Sequence, residues 1–204
     1  NPVLGLYIDD VPVLNKNSYD LEMLDIRRVD LFRGPQGTVY GRNSMCGVLS
    51  MTTLSPSSYS GVRALLEYGS ANSMMASVSA YGSSEDGLAV GGGISYRHTD
   101  GFFTNAYDGA SCDPSDAVSM RLRLEKQIRP DLYFENILSA GYVNQGGWPY
   151  RQYLADTKEL LATSYNDVCA YRRLNVTEAV KLRYDTPSYV LNSISSLQLL
   201  FFFF

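Results

Sequence analysis

With 204 residues, a formal net charge of −4 and a pI near 5.0, the chain is large enough for one or two domains with a sizeable core. The acidic balance argues against a nucleic-acid partner, which selects for basic faces. Charged residues make up only 19%, Tyr (16) outnumbers Phe (8) and Trp (1), and Gly is frequent (17), a composition suited to strands that meet an amphipathic boundary. No apolar run reaches the roughly eighteen residues of a membrane helix, although barrel strands alternate and never produce one.

Residues 1–56 read as a compact α/β segment. Val3–Ile8 is predicted to be a short strand, and Asp9-Asp10-Val11-Pro12 the turn that ends it. Adjacent carboxylates on a strand point to opposite faces, so Asp9 and Asp10 are read as turn chemistry rather than a metal or acid–base site. Ser18–Leu24 carries a helix start, with Ser18 or Asp20 as cap. Arg28–Phe32 alternates, Val48–Thr53 forms a further strand, and Ser55-Pro56-Ser57-Ser58 is a linker. Asn1–Leu4 lacks the basic and apolar regions of a signal peptide. Both ends, including Phe201–Phe204, read as cuts through a longer protein.

Between Arg28–Phe32 and Val48–Thr53 lies Arg33-Gly34-Pro35-Gln36-Gly37-Thr38-Val39-Tyr40-Gly41-Arg42-Asn43. It must bend sharply, because Gly supplies positive φ angles and Pro fixes φ while removing a donor. No GxxxxGK[ST] pattern is present, so a phosphate cradle is not supported. Ser44 and the other serines have no His/Asp constellation for a hydrolase triad. His98, the single histidine, has no acidic or Cys cluster at ligand spacing and is expected at a rim. No metal, cofactor or catalytic site is read from the sequence.

After Tyr59 the pattern changes to long alternating runs: Gly61–Tyr68, Ser73–Gly82, Leu88–Arg97, Val118–Ile128, Leu132–Val143, Val176–Tyr184 and a weaker Tyr189–Leu199. Most approach the ~9–11 residues of a membrane-spanning strand. One face is apolar, with Tyr68, Tyr96, Tyr142 and Tyr184 at strand ends, where an aromatic girdle would fall. The other is dominated by Ser, Gly and Ala with occasional Arg and Glu, which suits a barrel interior better than a sandwich surface in water. Long links (98–117 and 144–175) alternate with brief ones, as at the two rims of an outer-membrane barrel.

Cys112 and Cys169 fall in the two long links, on the same rim, and are a candidate disulfide if those loops face an oxidising space. There is no CxxC pair, and Cys46 is expected to be small and buried beside Gly47. The link 144–175 concentrates Trp148, Tyr150, Arg151, Tyr153, Tyr165, Tyr171, Arg172 and Arg173. These residue types dominate recognition surfaces, so Trp148, Tyr150, Arg151 and Tyr153 are candidate ligand-facing residues; packing among loops is the competing reading.

Several blocks carry a family resemblance. Tyr7-Ile8-Asp9-Asp10-Val11-Pro12 resembles a strand and turn written YVDGV. The segment from Leu24 to Pro35 resembles "DIERVEVLRGP", with Arg27 at the usual Glu, and Tyr40 to Met51 resembles "YGRNSxGGVINI", with Cys46 at a usual Gly or Ala. These are similar to the plug-domain motifs of TonB-dependent outer-membrane receptors, over about a quarter of the chain. The resemblance implies residues 1–56 as the C-terminal part of a plug, and 57–204 as about seven antiparallel strands of a large barrel, of about 22 strands in such transporters. It implies a bacterial outer-membrane location, contact with outer-membrane lipid, and no enzyme activity. It further implies active uptake of a scarce small ligand such as ferric siderophore, haem or cobalamin, driven by the TonB–ExbB–ExbD complex. Arg33, the charged end of a plug latch formed by Gly34, Pro35, Gln36, Gly37, Tyr40, Gly41, Arg42 and Asn43, would reach glutamates on the inner wall, with Glu67, Glu125 and Glu135 as the local candidates. The alternative is a passive porin-like protein or a non-transporting truncated receptor.

Overall fold

The computed structural model describes residues 4–18, 24–41, 43–147, 149–167 and 169–203. Two sheets account for most of them. The small sheet has the order β2-β1-β4-β3, built from β1 (Leu4–Ile8), β2 (Val11–Pro12), β3 (Ile26–Arg33) and β4 (Gly47–Thr53). β1 runs parallel to β4, and the other pairs are antiparallel. Ile8 pairs with Val11, so Asp9 and Asp10 form a two-residue hairpin loop. Both have positive φ (49° and 63°), the requirement of a type I′ turn. The expected turn is thus present.

The β1–β4 pair holds the core of this sheet, with Leu6, Tyr7 and Val48 buried. β3 lies at the sheet edge, and its Val29 and Leu31 remain exposed. The expected helix at Ser18–Leu24 falls largely outside the described residues. A single 3₁₀ turn, Lys16–Ser18, precedes it.

The Gly/Pro block is a closed hairpin loop between β3 and β4. Gly34 N–H donates to Cys46 O at 3.1 Å and Gln36 N–H to Ser44 O at 2.9 Å, continuing the ladder past the strand ends. One helical turn, α1 (Gly37–Tyr40), fills the loop, and Gly34 and Gly41 take φ of 84° and 71° where the chain bends. The Tyr40 ring meets Tyr7 edge-on at 4.9 Å, and the Tyr7 hydroxyl donates to Tyr40 O. Cys46 is exposed rather than buried, because it precedes β4 at the open side of the loop.

The large sheet has seven strands, all antiparallel neighbours. In chain order they are β5 (Gly61–Tyr68), β6 (Met74–Ser83), β7 (Leu88–Thr99), β8 (Ser115–Arg129) and β9 (Leu132–Gly146). A minor hairpin of β10 (Tyr153–Leu154) and β11 (Glu159–Leu160) follows within the second long link. β12 (Ala170–Asp185) and β13 (Val190–Phe203) complete the sheet. All seven alternating runs are strands, and β8, β9 and β12 extend several residues beyond the expected ends, shortening the long links. No helix among the described residues could cross a membrane.

Register aligns the alternation across strands. Ala64, Val78, Ile94, Met120, Ala140 and Val176 form one continuous row, on the outer face, away from the small sheet. Tyr96, Val118 and Tyr142 form the next row toward the long links, and Tyr184 sits near the short-turn end. Large apolar residues on this face are exposed (Ile94 49%, Leu122 48%), an arrangement that requires an apolar solvent.

The inner face is different. Ser79, Ala89, Ser95, Ser119 and Ala179 are buried there beneath the small sheet, and their small size makes room for it. Gly91 shows the tightest case. A Cβ there would fall 2.2 Å from the Tyr81 ring, so only glycine lets that ring lie across β7 and aim its hydroxyl at the small sheet.

Candidate functional site

The junction between the small sheet and the inner wall is built from charged side chains. The type I′ turn presents Asp9, whose carboxylate is buried. It accepts hydrogen bonds from Thr53 N–H at 2.8 Å and Thr53 Oγ1 at 2.7 Å, across the parallel β1–β4 pair. From β8, a guanidinium nitrogen of Arg121 lies 3.1 Å from Asp9 Oδ2, and one of Arg123 lies 3.6 Å from Oδ1. Burial pushes the Asp9 carboxyl up, but Arg121, Arg123 and the two Thr53 bonds outweigh it and hold its pKa below the ordinary carboxylate value.

Arg123 is the hub. Its Nη1 donates to Thr53 Oγ1 at 3.3 Å and Leu54 O at 3.5 Å, both on the small-sheet side. Its Nη2 lies 3.0 Å from Glu135 Oε1 on β9. Its Nε approaches Glu125 Oε1 at 2.8 Å, but off-line, as a charge contact rather than a hydrogen bond. Glu125 and Glu135 stand directly opposite each other across β8 and β9, a like-charge pairing that would be unfavourable without a cation between them. Lys181 of β12 extends the network, 3.5 Å from Glu135 and 3.6 Å from Asp10.

Three further ties flank this centre. Asp25 accepts from the Tyr81 hydroxyl at 2.7 Å and pairs with Arg63 at 3.3 Å. Gln198 of β13 donates to Pro12 O at 2.5 Å and accepts from Leu14 N–H at 3.1 Å, mimicking a strand neighbour. The Ser55–Ser58 linker is not free: Ser55 Oγ and Ser57 N–H both donate to Glu125 Oε2, at 2.9 and 3.3 Å, and Pro56 is fully buried. Beside Lys181 and Asp10 a cleft of about 740 Å³ runs between the small sheet and β9, β12 and β13, lined by Tyr7, Tyr40, Tyr133 and Asn192 among others.

No family model matches the chain. Among curated proteins it is 28% identical over 205 residues to the pesticin receptor of Yersinia enterocolitica, covering 97% of this chain and 30% of the relative. With the pesticin receptor of Yersinia pestis it shares 35% over 102 residues, 49% of this chain and 15% of the relative. Among solved structures it resembles the ferric yersiniabactin uptake receptor FyuA of Yersinia pestis, with a TM-score of 0.76 and 25% identity over 99% of this chain and 32% of that one. The siderophore receptor PiuA of Acinetobacter baumannii gives a TM-score of 0.75 at 13% identity, over 97% of this chain and 29% of that one, and supports the fold. Over nearly its whole length the chain thus resembles TonB-dependent outer-membrane receptors. It spans less than a third of the length of these relatives. The seven-stranded sheet matches part of the barrel of such receptors, the small sheet stands where their plug would be, and the location is the outer membrane. The relatives named here are receptors rather than enzymes.

The sequence-predicted residues divide along these lines. Arg33, at the end of β3, is exposed, and Glu125 and Glu135 meet Arg123 in its place, while Glu67 is exposed on β5. Gly34, Pro35, Gln36, Gly37, Tyr40, Gly41 and Asn43 shape the plug loop; Arg42 lies outside the described residues. On the exterior link, Tyr150 (82% exposed) and Tyr153 (60%) are open to solvent. Arg151 is committed elsewhere, donating to the carbonyls of Leu160 and Leu161 at 3.2 and 2.7 Å across the β10–β11 hairpin. Trp148 lies outside the described residues. His98 is at the rim as expected, but the sequence spacing hid its partners: Asp116 on the next strand at 2.8 Å and Asp100 at 3.1 Å. The thiols of Cys46, Cys112 and Cys169 are free in this structure.

Asp9, Arg121, Arg123, Lys181 and Gln198 escaped sequence reasoning. The available signal was Arg121-x-Arg123-x-Glu125, three charges that follow Ser115, Ala117 and Ser119 in the same phase of β8.

Proposed function

We propose that the whole receptor takes up a scarce small ligand of the ferric-siderophore class, driven by the TonB–ExbB–ExbD complex, with residues 1–56 serving as the C-terminal part of the plug and 57–204 as the first barrel strands. The observation that carries this reading is the polar junction of Asp9 with Arg121 and Arg123. A plug meant to stay would be held by apolar packing. Ion pairs and hydrogen bonds instead hold it in register, and water can replace them one by one when the plug is pulled. Likeness to a ferric yersiniabactin uptake receptor supports the ligand class. Haem and cobalamin are the next ligands to try, and the exposed Tyr150 and Tyr153 are where the ligand would first land, with Trp148 a further candidate from the sequence.

The test is uptake of radioiron by cells carrying the full-length receptor, with ferric yersiniabactin as the first probe in a siderophore panel. Uptake that requires TonB is expected. Uptake that persists in cells lacking TonB would point to a passive porin, and a panel with no substrate would remove the ligand class. Replacing Trp148 and Tyr150 by Ala should weaken binding at the cell surface; unchanged affinity and uptake would take these residues out of the recognition site.

A further inference from the structure

The two long exterior links are already one unit. Asn105 of the first is buried, and its amide donates to Tyr165 O at 2.9 Å while its carbonyl accepts Tyr165 N–H at 3.1 Å. Ala106 N–H donates to the buried Thr163 at 2.8 Å. An amide bonding both backbone groups of one residue fixes the two links in a single register.

That register carries two cysteines to the same place. Gly146 ends β9 and Gly147 follows it, and each leaves room for one of them. A Cβ on Gly146 would fall 2.8 Å from Cys112 O; one on Gly147 would fall 2.6 Å from Cys169 Cβ and 3.3 Å from its Sγ. Consecutive residues lie about 3.8 Å apart but face opposite ways, so these contacts place Cys112 and Cys169 on either side of one peptide unit, and the Tyr165 side chain, hydrogen-bonded to that of Cys112, links the two. The Tyr165 hydroxyl is the third member. It would lie 3.5 Å from the same Cβ on Gly147, and partial burial with both thiols and Asp108 nearby pushes its pKa up to about 12. Cys112 is buried beneath this point and Cys169 is open, so an incoming reagent meets Cys169 first.

We propose that Cys112 and Cys169 are a modification site, closing into a disulfide in the oxidising space outside the inner membrane and stapling the two exterior links together. Each thiol loses its hydrogen and one S–S bond forms. The two electrons and two protons pass to a disulfide-bearing thiol oxidase, whose own S–S bond opens to two thiols. Cys169 makes the first mixed disulfide because it is exposed, and Cys112 resolves it. The bond closes a long loop, where the loss of unfolded-state freedom is greatest, and it fixes the base of the link that carries Tyr150 and Tyr153. Cys46, exposed in the plug, stays a thiol.

Peptide mapping of the full-length receptor, extracted from outer membranes with thiols blocked on lysis, tests this. The expected result is a Cys112 peptide joined to a Cys169 peptide with the loss of two hydrogens, released by reductant. In Cys169→Ser the Cys112 peptide should become alkylatable after unfolding, and protease should cut the 150–162 segment faster than in the unsubstituted receptor. Recovery of Cys112 and Cys169 as separately blocked thiols, or of either joined to another cysteine, would overturn the proposal. Equal protease sensitivity of Cys169→Ser and the unsubstituted receptor would overturn the stapling role.

Discussion

Along β8 the outward residues Met120, Leu122 and Leu124 are apolar and exposed, whereas their inward neighbours Arg121, Arg123 and Glu125 are charged and mostly buried. A protein in water would have the reverse arrangement. The outward set is stable because its solvent is lipid, which neither expels apolar side chains nor hydrates charges. The inward set is stable because each charge has a partner, on the plug or on the next strand. The two faces therefore differ in what replaces water: hydrocarbon outside, and the polar edge of the small sheet inside. The inner face gains orientation more than strength, since a buried ion pair stabilises little beyond an apolar substitute but is costly to break on one side only.

The largest test of that contrast is Asp9→Asn in the full-length receptor. It leaves Arg121 and Arg123 facing each other without their shared anion, at a cost of about 3–5 kcal/mol to plug docking. Hydrogen exchange of the β1 and β4 amides should speed up accordingly, while the amides of β6–β9 stay protected. Equal acceleration in both sheets would mean that Asp9 supports the whole fold rather than the junction. Acid should imitate the substitution. The Asp9 pKa is depressed in the folded protein, so its contribution is complete above the ordinary carboxylate range and is lost as pH falls through the depressed value. Protection of β1 and β4 that stays constant through that acid range would contradict the assignment.

Next in size is Tyr81→Phe. It removes the hydroxyl that donates to Asp25 and leaves Arg63, half exposed, as that carboxylate's partner. A hydrogen bond to a charged group contributes about 1.5–3 kcal/mol, so exchange near Asp25 should rise less than in Asp9→Asn. If Tyr81→Phe loosens the plug more than Asp9→Asn does, the centre of the junction lies at Asp25.

The strands were legible because alternation has a period of two and persists over ten or more residues in each. The extra residues of β8, β9 and β12 were not, because beyond the lipid band the outward positions become polar (Asp116, Asn144, Arg172) and the alternation fades. The junction was hardest to see. Asp9 reads as a turn residue, correctly, and its local sequence carries no sign that Arg121 and Arg123 will arrive more than a hundred residues later. Ion-pair partners across two sheets follow from register and stacking, which no local pattern encodes. The plug motif drew attention to Arg33, yet in this chain the buried carboxylates of β8 and β9 are served by Arg123 from their own wall.

The smallest expected effect concerns the outer face, where a charged residue interrupts the apolar rows. Glu178 of β12 lies opposite Leu138, in line with Leu122, at the middle of the lipid-facing rows. It is exposed and accepts a hydrogen bond from Asn136 Nδ2 at 3.3 Å. Asn136 Nδ2 also reaches Ala179 O at 3.2 Å, so removing the carboxylate leaves no orphaned donor. Glu178→Leu should therefore raise the stability of the full-length receptor in bilayers, by up to about 2 kcal/mol, since acidic residues on the lipid face cost less than Lys or Arg there. Urea unfolding in vesicles measures this directly. A loss of stability would show that Glu178 meets something other than lipid, and the contrast between the two faces would then fail at the centre of β12.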